Sequence, residues 1–99
     1  MSISPKKAPG FITTWRNVQY IFLPVPPQEW PKLMKGQVLI MEVKIGDELH
    51  GPAPCVLLQN KMTYPAETGL YIQVGELKVT VLASGITQLY KGAVLNTSN

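Results

Sequence analysis

Nine prolines and eight glycines interrupt this 99-residue chain at short intervals, and that spacing constrains the fold more than any other feature. Proline lacks the N–H that an interior helical residue must donate, and glycine carries the largest backbone entropy cost. Segments broken this often cannot sustain a long helix. Between the breakers lie runs rich in Val, Ile, Leu, Tyr and Thr, residues that suit a pleated, half-buried surface. No stretch of about a dozen residues is both free of breakers and periodic at 3.6 residues, so a helix bundle is not expected and the class is mainly β.

The clearest local signal is Leu70-Tyr71-Ile72-Gln73-Val74, then Gly75-Glu76, then Leu77-Lys78-Val79-Thr80-Val81. Gly at the first position of a two-residue loop suits a type II′ turn, whose twist matches paired strands. The predicted 70–81 hairpin sets Val74 opposite Leu77, Ile72 opposite Val79 and Leu70 opposite Val81 on an apolar face. Gln73 then meets Lys78, and Tyr71 meets Thr80, on a wet face.

A second long strand is predicted over Gln37 to Ile45, with Leu39, Met41, Val43 and Ile45 on one face and Glu42 and Lys44 on the other. Val38 and Ile40 make its first half apolar on both faces, which implies a second cover supplied by this chain or by a neighbouring subunit. Gly46 to Pro54 reads as a loop, Cys55 to Gln59 as a short buried strand and Ile86 to Tyr90 as the last strand. Asn17 to Leu23 is a further strand, beginning as early as Phe11, although Phe11, Trp15, Val18 and Phe22 also fit helical spacing. Pro24-Val25-Pro26-Pro27 is expected to run extended on the surface, before one helical turn over Gln28 to Met34. About five to six strands imply a small single-domain barrel or compact sandwich, SH3-like or OB-like. The domain spans residues 11–95, with 1–10 as an N-terminal arm and 96–99 as a polar tail.

Lys and Arg number 9 against 6 Asp and Glu, yet only Lys6 and Lys7 are adjacent, so the formal charge of +3 forms no polybasic arm. The single cysteine, Cys55, excludes an intrachain disulfide and reads as a buried thiol. The lysines near the N-terminus are followed by no apolar run, and no segment approaches the ~20 residues of a membrane-spanning helix. The expectation is a soluble chain, intracellular or in a virion, with no signal peptide and no membrane partner.

Asp47, Glu48, His50 and Cys55 are the only close set of metal-ligating residue types, and their spacing matches no paired-ligand pattern. Ser84, His50 and Asp47 lie in no nucleophile-elbow context, and no glycine loop of phosphate-cradling type occurs. The chain is therefore expected to be a non-enzyme with no cofactor and no metal.

Lys35-Gly36-Gln37-Val38, followed by Gly46-Asp47-Glu48-Leu49-His50-Gly51-Pro52-Ala53-Pro54 and the apolar run to Asn60, resembles the opening of MazF-type toxin ribonucleases. The resemblance covers about a quarter of the chain and implies an SH3-like barrel. Ala53 stands where that family has its catalytic arginine, so the resemblance implies no ribonuclease activity here.

Five residues are interaction candidates: Trp30 in the proline-rich connector, Val38 and Ile40 on the doubly apolar strand, and Tyr71 and Lys78 on the wet face of the hairpin. With only 15% of residues charged, they suggest a surface partly covered by other chains. The expected function is a structural or protein-interaction module, a subunit of a viral or phage particle or another repeating assembly. Its partners would be other protein chains, in a homo-oligomer or something larger. One alternative is a small OB-like protein that binds single-stranded nucleic acid, with Tyr71 stacking on bases and Lys78 meeting phosphate. Another is a small inhibitor of a host enzyme.

Overall fold

A computed structural model describes residues 10–63 and 68–95, so nearly all of the expected arm and the whole of the expected tail lie outside the described residues. The chain forms seven strands: β1 (Phe11–Trp15), β2 (Val18–Pro24), β3 (Val38–Ile45), β4 (Glu48–Asn60), β5 (Gly69–Val74), β6 (Leu77–Leu82) and β7 (Ile86–Val94). They make one antiparallel sheet in the order β1-β2-β7-β3-β4-β5-β6. Short 3-10 turns occupy Pro27–Lys32, Lys61–Thr63 and Ala83–Gly85.

The β5–β6 hairpin has the expected register, from Val74 opposite Leu77 to Leu70 opposite Val81, and Gly75 takes a φ of +61° at its turn. The same device recurs at Gly46, φ +62°, which joins β3 to β4 through two residues. That turn corrects the expected Gly46 to Pro54 loop. Glu48 to Pro54 is strand, paired with β3 despite two prolines: Pro52 falls within the register slip between Met41 and Val43, and Pro54 lies where β4 has no β5 neighbour, since that pairing starts at Val56. The Phe11 to Leu23 region is likewise two strands. Arg16 and Asn17 both take positive φ, 54° and 66°, as a type I′ turn requires, so Trp15 pairs with Val18. Pro24 ends β2, and Val25 donates its N–H to the Leu89 carbonyl at 2.9 Å, so the proline connector starts on the sheet before turning away.

The strand count exceeds the expected five to six, and the sheet is not a closed barrel. The β1–β2 hairpin extends the sheet beyond β7, which leaves β1 and β6 at opposite ends with no partner in common. Register slips at Met41/Val43, Glu42/Val43 and Leu57/Gln59 bend it without closing it.

Both faces are buried around β3. On one face Leu39, Met41, Cys55, Leu57, Leu70, Ile72, Ile86 and Leu89 form the main core, with Trp30 and Leu33 packed over them. On the other, Ile40 packs with Tyr20 and Phe22, flanked by Trp15, Val18, Val38 and Tyr90. Phe11 stacks on Phe22 with ring centroids 5.6 Å apart and meets Tyr90 edge-on at 5.2 Å. The chain itself, through β2, supplies the second cover that Val38 and Ile40 demanded.

Candidate binding groove

The Trp30–Leu33 segment packs on only part of the core face. Asn60, the last residue of β4, pins it there: the side-chain amide donates to the carbonyls of Trp30 at 3.0 Å and Leu33 at 2.9 Å, and the side-chain oxygen accepts the Met62 N–H at 2.9 Å. The Trp30 indole N–H donates to the Val25 carbonyl at 2.8 Å, closing the connector on itself.

Beyond this cover the core face opens into a groove of about 840 Å³ between the β3–β4 and β5–β6 hairpins. Met41, Cys55 and Ile72 lie along its floor, and Val43, Val74, Val79 and Val81 form the walls. These residues come from alternating positions of their strands, which is why all present aliphatic side chains to one side. Lys44, His50, Thr80 and Ser84 supply the polar groups around it. The volume falls in the range typical of pockets for small ligands and peptides, about 300–1,000 Å³. Three large side chains stand exposed at its mouth: Ile45 at the end of β3, and Leu77 and Leu82 at the two ends of β6.

Cys55 points into this face with 1% of its surface exposed, and burial pushes its thiol from the usual 9.0 up to about 12. At neutral pH it is a small apolar group and not a nucleophile. His50 approaches Glu48 at 3.4 Å, with both side chains largely exposed. Among the described residues, no three His, Cys, Asp or Glu side chains gather closely enough to hold a metal ion.

The five interaction candidates do not converge. Trp30 is buried in the main core, and Ile40 is buried with Val38 beside it in the aromatic cluster on the opposite face. Ile40 also lines a smaller hollow of about 280 Å³ there, with Phe11, Trp15, Pro52 and Pro54. Tyr71 and Lys78 share a face of the β5–β6 hairpin, and the Lys61 ammonium lies 5.4 Å from the Tyr71 ring centroid. None of the five lines the groove. Its walls were visible in the sequence as the alternation of Met41, Val43 and Ile45 and of Leu77, Val79 and Val81, but nothing local revealed that the connector would leave them open. Asn60 stood in the sequence only as the end of an apolar run, with no sign that its side chain would pin the connector.

No protein-family model, curated protein or solved structure matches this chain. The segment resembling MazF-type ribonucleases maps to the β3–β4 hairpin, where Gly46 makes the turn and Gly51 and Pro52 lie at the register slip. Among the described residues, no helix is long and apolar enough to cross a membrane.

Proposed function

We propose that this chain is a non-enzymatic interaction module, a subunit that works by holding other protein chains within a repeating assembly, of which a viral or phage particle is one form. One observation carries the reading: most of the large hydrophobics exposed among the described residues fall into two groups, one on β1, β2 and β7 and one around the groove. Phe11, Ile12, Leu23 and Val94 lie on β1, β2 and β7, whereas Ile45, Leu77 and Leu82 line the groove, and Met34 and Leu49 stand apart. Scattered apolar side chains are ordinary on a protein surface, but grouped ones mark contact sites. Two separated groups allow each subunit to meet two neighbours.

The test is a pair of charge substitutions at the groove mouth, Ile45→Lys and Leu77→Lys, in chain recovered from its native source after mild crosslinking. Wild type is expected to carry other chains in fixed proportion, and the double variant to lose those held at the groove. Recovery of wild type as a bare monomer overturns the proposal.

A second reading rests on the Lys61–Tyr71 pair and Lys78, which place two cations beside a half-exposed ring on one face. Single-strand binding there would weaken steeply with salt and with Tyr71→Ala. Binding indifferent to both excludes it.

A further inference from the structure

The β1 end of the sheet has a feature that the groove lacks, an unpaired strand edge whose side-chain order is symmetric about its own centre. We infer that two copies of the chain join through β1, antiparallel and centred on Thr13, into one continuous sheet.

β1 is a terminal strand, so among the described residues one side of its backbone has no partner. The type I′ turn shows which groups are free. Trp15 and Val18 close a two-residue loop as a hydrogen-bonded pair, so the backbone groups of Trp15, Thr13 and Phe11 face β2. Those of Ile12 and Thr14 point outward. Strand edges left open in this way are usually blunted by lysine, proline, other charges or a covering segment. Phe11-Ile12-Thr13-Thr14-Trp15 has none of the protective residues, and four of its five positions are exposed. The opposite edge, β6, carries Lys78 among its outward-facing positions.

The choice of a second copy over an unrelated strand comes from the sequence of the edge. Read from either end, β1 is aromatic, β-branched, threonine, β-branched, aromatic. A two-fold axis through Thr13 pairs Ile12 with Thr14 of the other copy, and the outward N–H and C=O groups of both are then exchanged. The same register sets Phe11 across from the second copy's Trp15, twice, and Thr13 across from its own counterpart. Cross-strand aromatic and threonine pairs are among those that stabilise antiparallel neighbours. Phe11 is already stacked on Phe22 and is 40% exposed, so this contact would continue the aromatic cluster into the second copy. Arg16, whose guanidinium lies 4.2 Å over the Trp15 ring, meets Gly10 of the other copy and not a second arginine. The two Arg16 residues end up about 20 Å apart along the ribbon, at about 3.3 Å per residue, so their repulsion is largely screened.

Sedimentation equilibrium of the full chain is expected to show a reversible dimer. Thr14→Pro removes an outward N–H that β1 does not use with β2, and should weaken dimerisation at least tenfold while leaving the circular dichroism spectrum unchanged. Ile12→Lys adds the missing edge charge and should do the same if the proline variant fails to fold. Thr13→Cys places two thiols on the axis, where facing Cα atoms are about 4.5 Å apart, and should crosslink on mild oxidation. Wild type, with Cys55 buried, should not. A chain monomeric at every accessible concentration, a dimer undiminished in folded Thr14→Pro or Ile12→Lys, or a Thr13→Cys variant that does not crosslink overturns the inference. These variants leave the groove intact, so the β1 contact can fail while the groove contact stands, and the reverse.

Discussion

Replacing Gly92 with alanine should destabilise this protein, although the same change in an ordinary strand is favourable. Gly92 sits on β7 directly across from Phe22 on β2. A Cβ added there falls 2.6 Å from Cε1 of Phe22 and 3.1 Å from its Cδ1 and Cζ. Carbon atoms in contact settle at about 3.5–4.0 Å, so the methyl overlaps the ring edge by about 1 Å. The ring has little room to yield, because Phe22 is fully buried between Phe11, at a centroid distance of 5.6 Å, and Tyr20, at 5.7 Å. Removing glycine's backbone freedom contributes about 0.5–1 kcal/mol in favour of alanine. Overpacking a filled core costs about 1–3 kcal/mol, so strain wins or at worst cancels the gain. A net loss of 1 kcal/mol would lower Tm by about 4–8 °C in a domain of this size. Urea unfolding followed by tryptophan fluorescence measures the change, and Phe22→Leu supplies the second arm of a double-mutant cycle. In the leucine background the alanine should be neutral or stabilising, giving a coupling of about 1 kcal/mol or more. A Gly92→Ala protein more stable than wild type, or equal costs in both backgrounds, refutes the reasoning.

Asn60→Ala should cost about 1–3 kcal/mol, since the Trp30 and Leu33 carbonyls and the Met62 N–H all lose their side-chain partner; urea unfolding checks it, with a red shift of native Trp30 emission as the connector loosens. Cys55 should resist alkylation in the native state at neutral pH, and its titration sets a stability window. The folded thiol is raised from 9.0 to about 12, so its contribution is complete below pH 9 and declines as pH rises towards 12, where the unfolded chain alone ionises. The stability difference between wild type and Cys55→Ala should therefore shrink over that interval by at most about 1.4 kcal/mol per pH unit; a constant difference would count against a buried neutral thiol. Trp15 belongs to the aromatic cluster and Trp30 to the main core, so Trp15→Phe and Trp30→Phe each leave a reporter on one face. Because neighbouring residues of β3 serve opposite faces, the two reporters should give coincident unfolding transitions once the stability of each variant is allowed for, and a broad second transition in either would show that the faces unfold separately.

What could be read in advance follows from how local each determinant is. The β5–β6 register was legible because a two-residue glycine turn and a period-two pattern agree within a dozen residues. The double burial of β3 was legible because Val38 and Ile40 break the alternation, but the identity of the cover was not. Phe22 and Tyr20 arrive through β2, a pairing with β7 that spans most of the chain. The Phe11 to Phe22 region resisted because its aromatic spacing fits a helix as well as a strand, and Arg16-Asn17 lacks the glycine that usually announces a type I′ turn. Pro52 and Pro54 argued against a strand that tolerates them because the register slips at Pro52 and β5 does not reach Pro54. Trp30 looked free in a proline-rich connector, yet one indole hydrogen bond and a distant asparagine hold it in the core.

The same placements change the meaning of the low charge content. The doubly apolar strand is satisfied internally, so it no longer accounts for the scarcity of charged surface; on the proposed reading, the contacts at β1 and at the groove would. Pairing through β1 would occupy one end by an isologous contact, which closes on itself and cannot propagate. It would leave the groove, with exposed Ile45, Leu77 and Leu82, free on both halves of the joined sheet. A subunit with one closing contact and one open contact can build beyond a dimer only through the groove. In the proposed assembly the order would then follow from geometry, with β1 defining the pair and the groove defining what the pair is attached to.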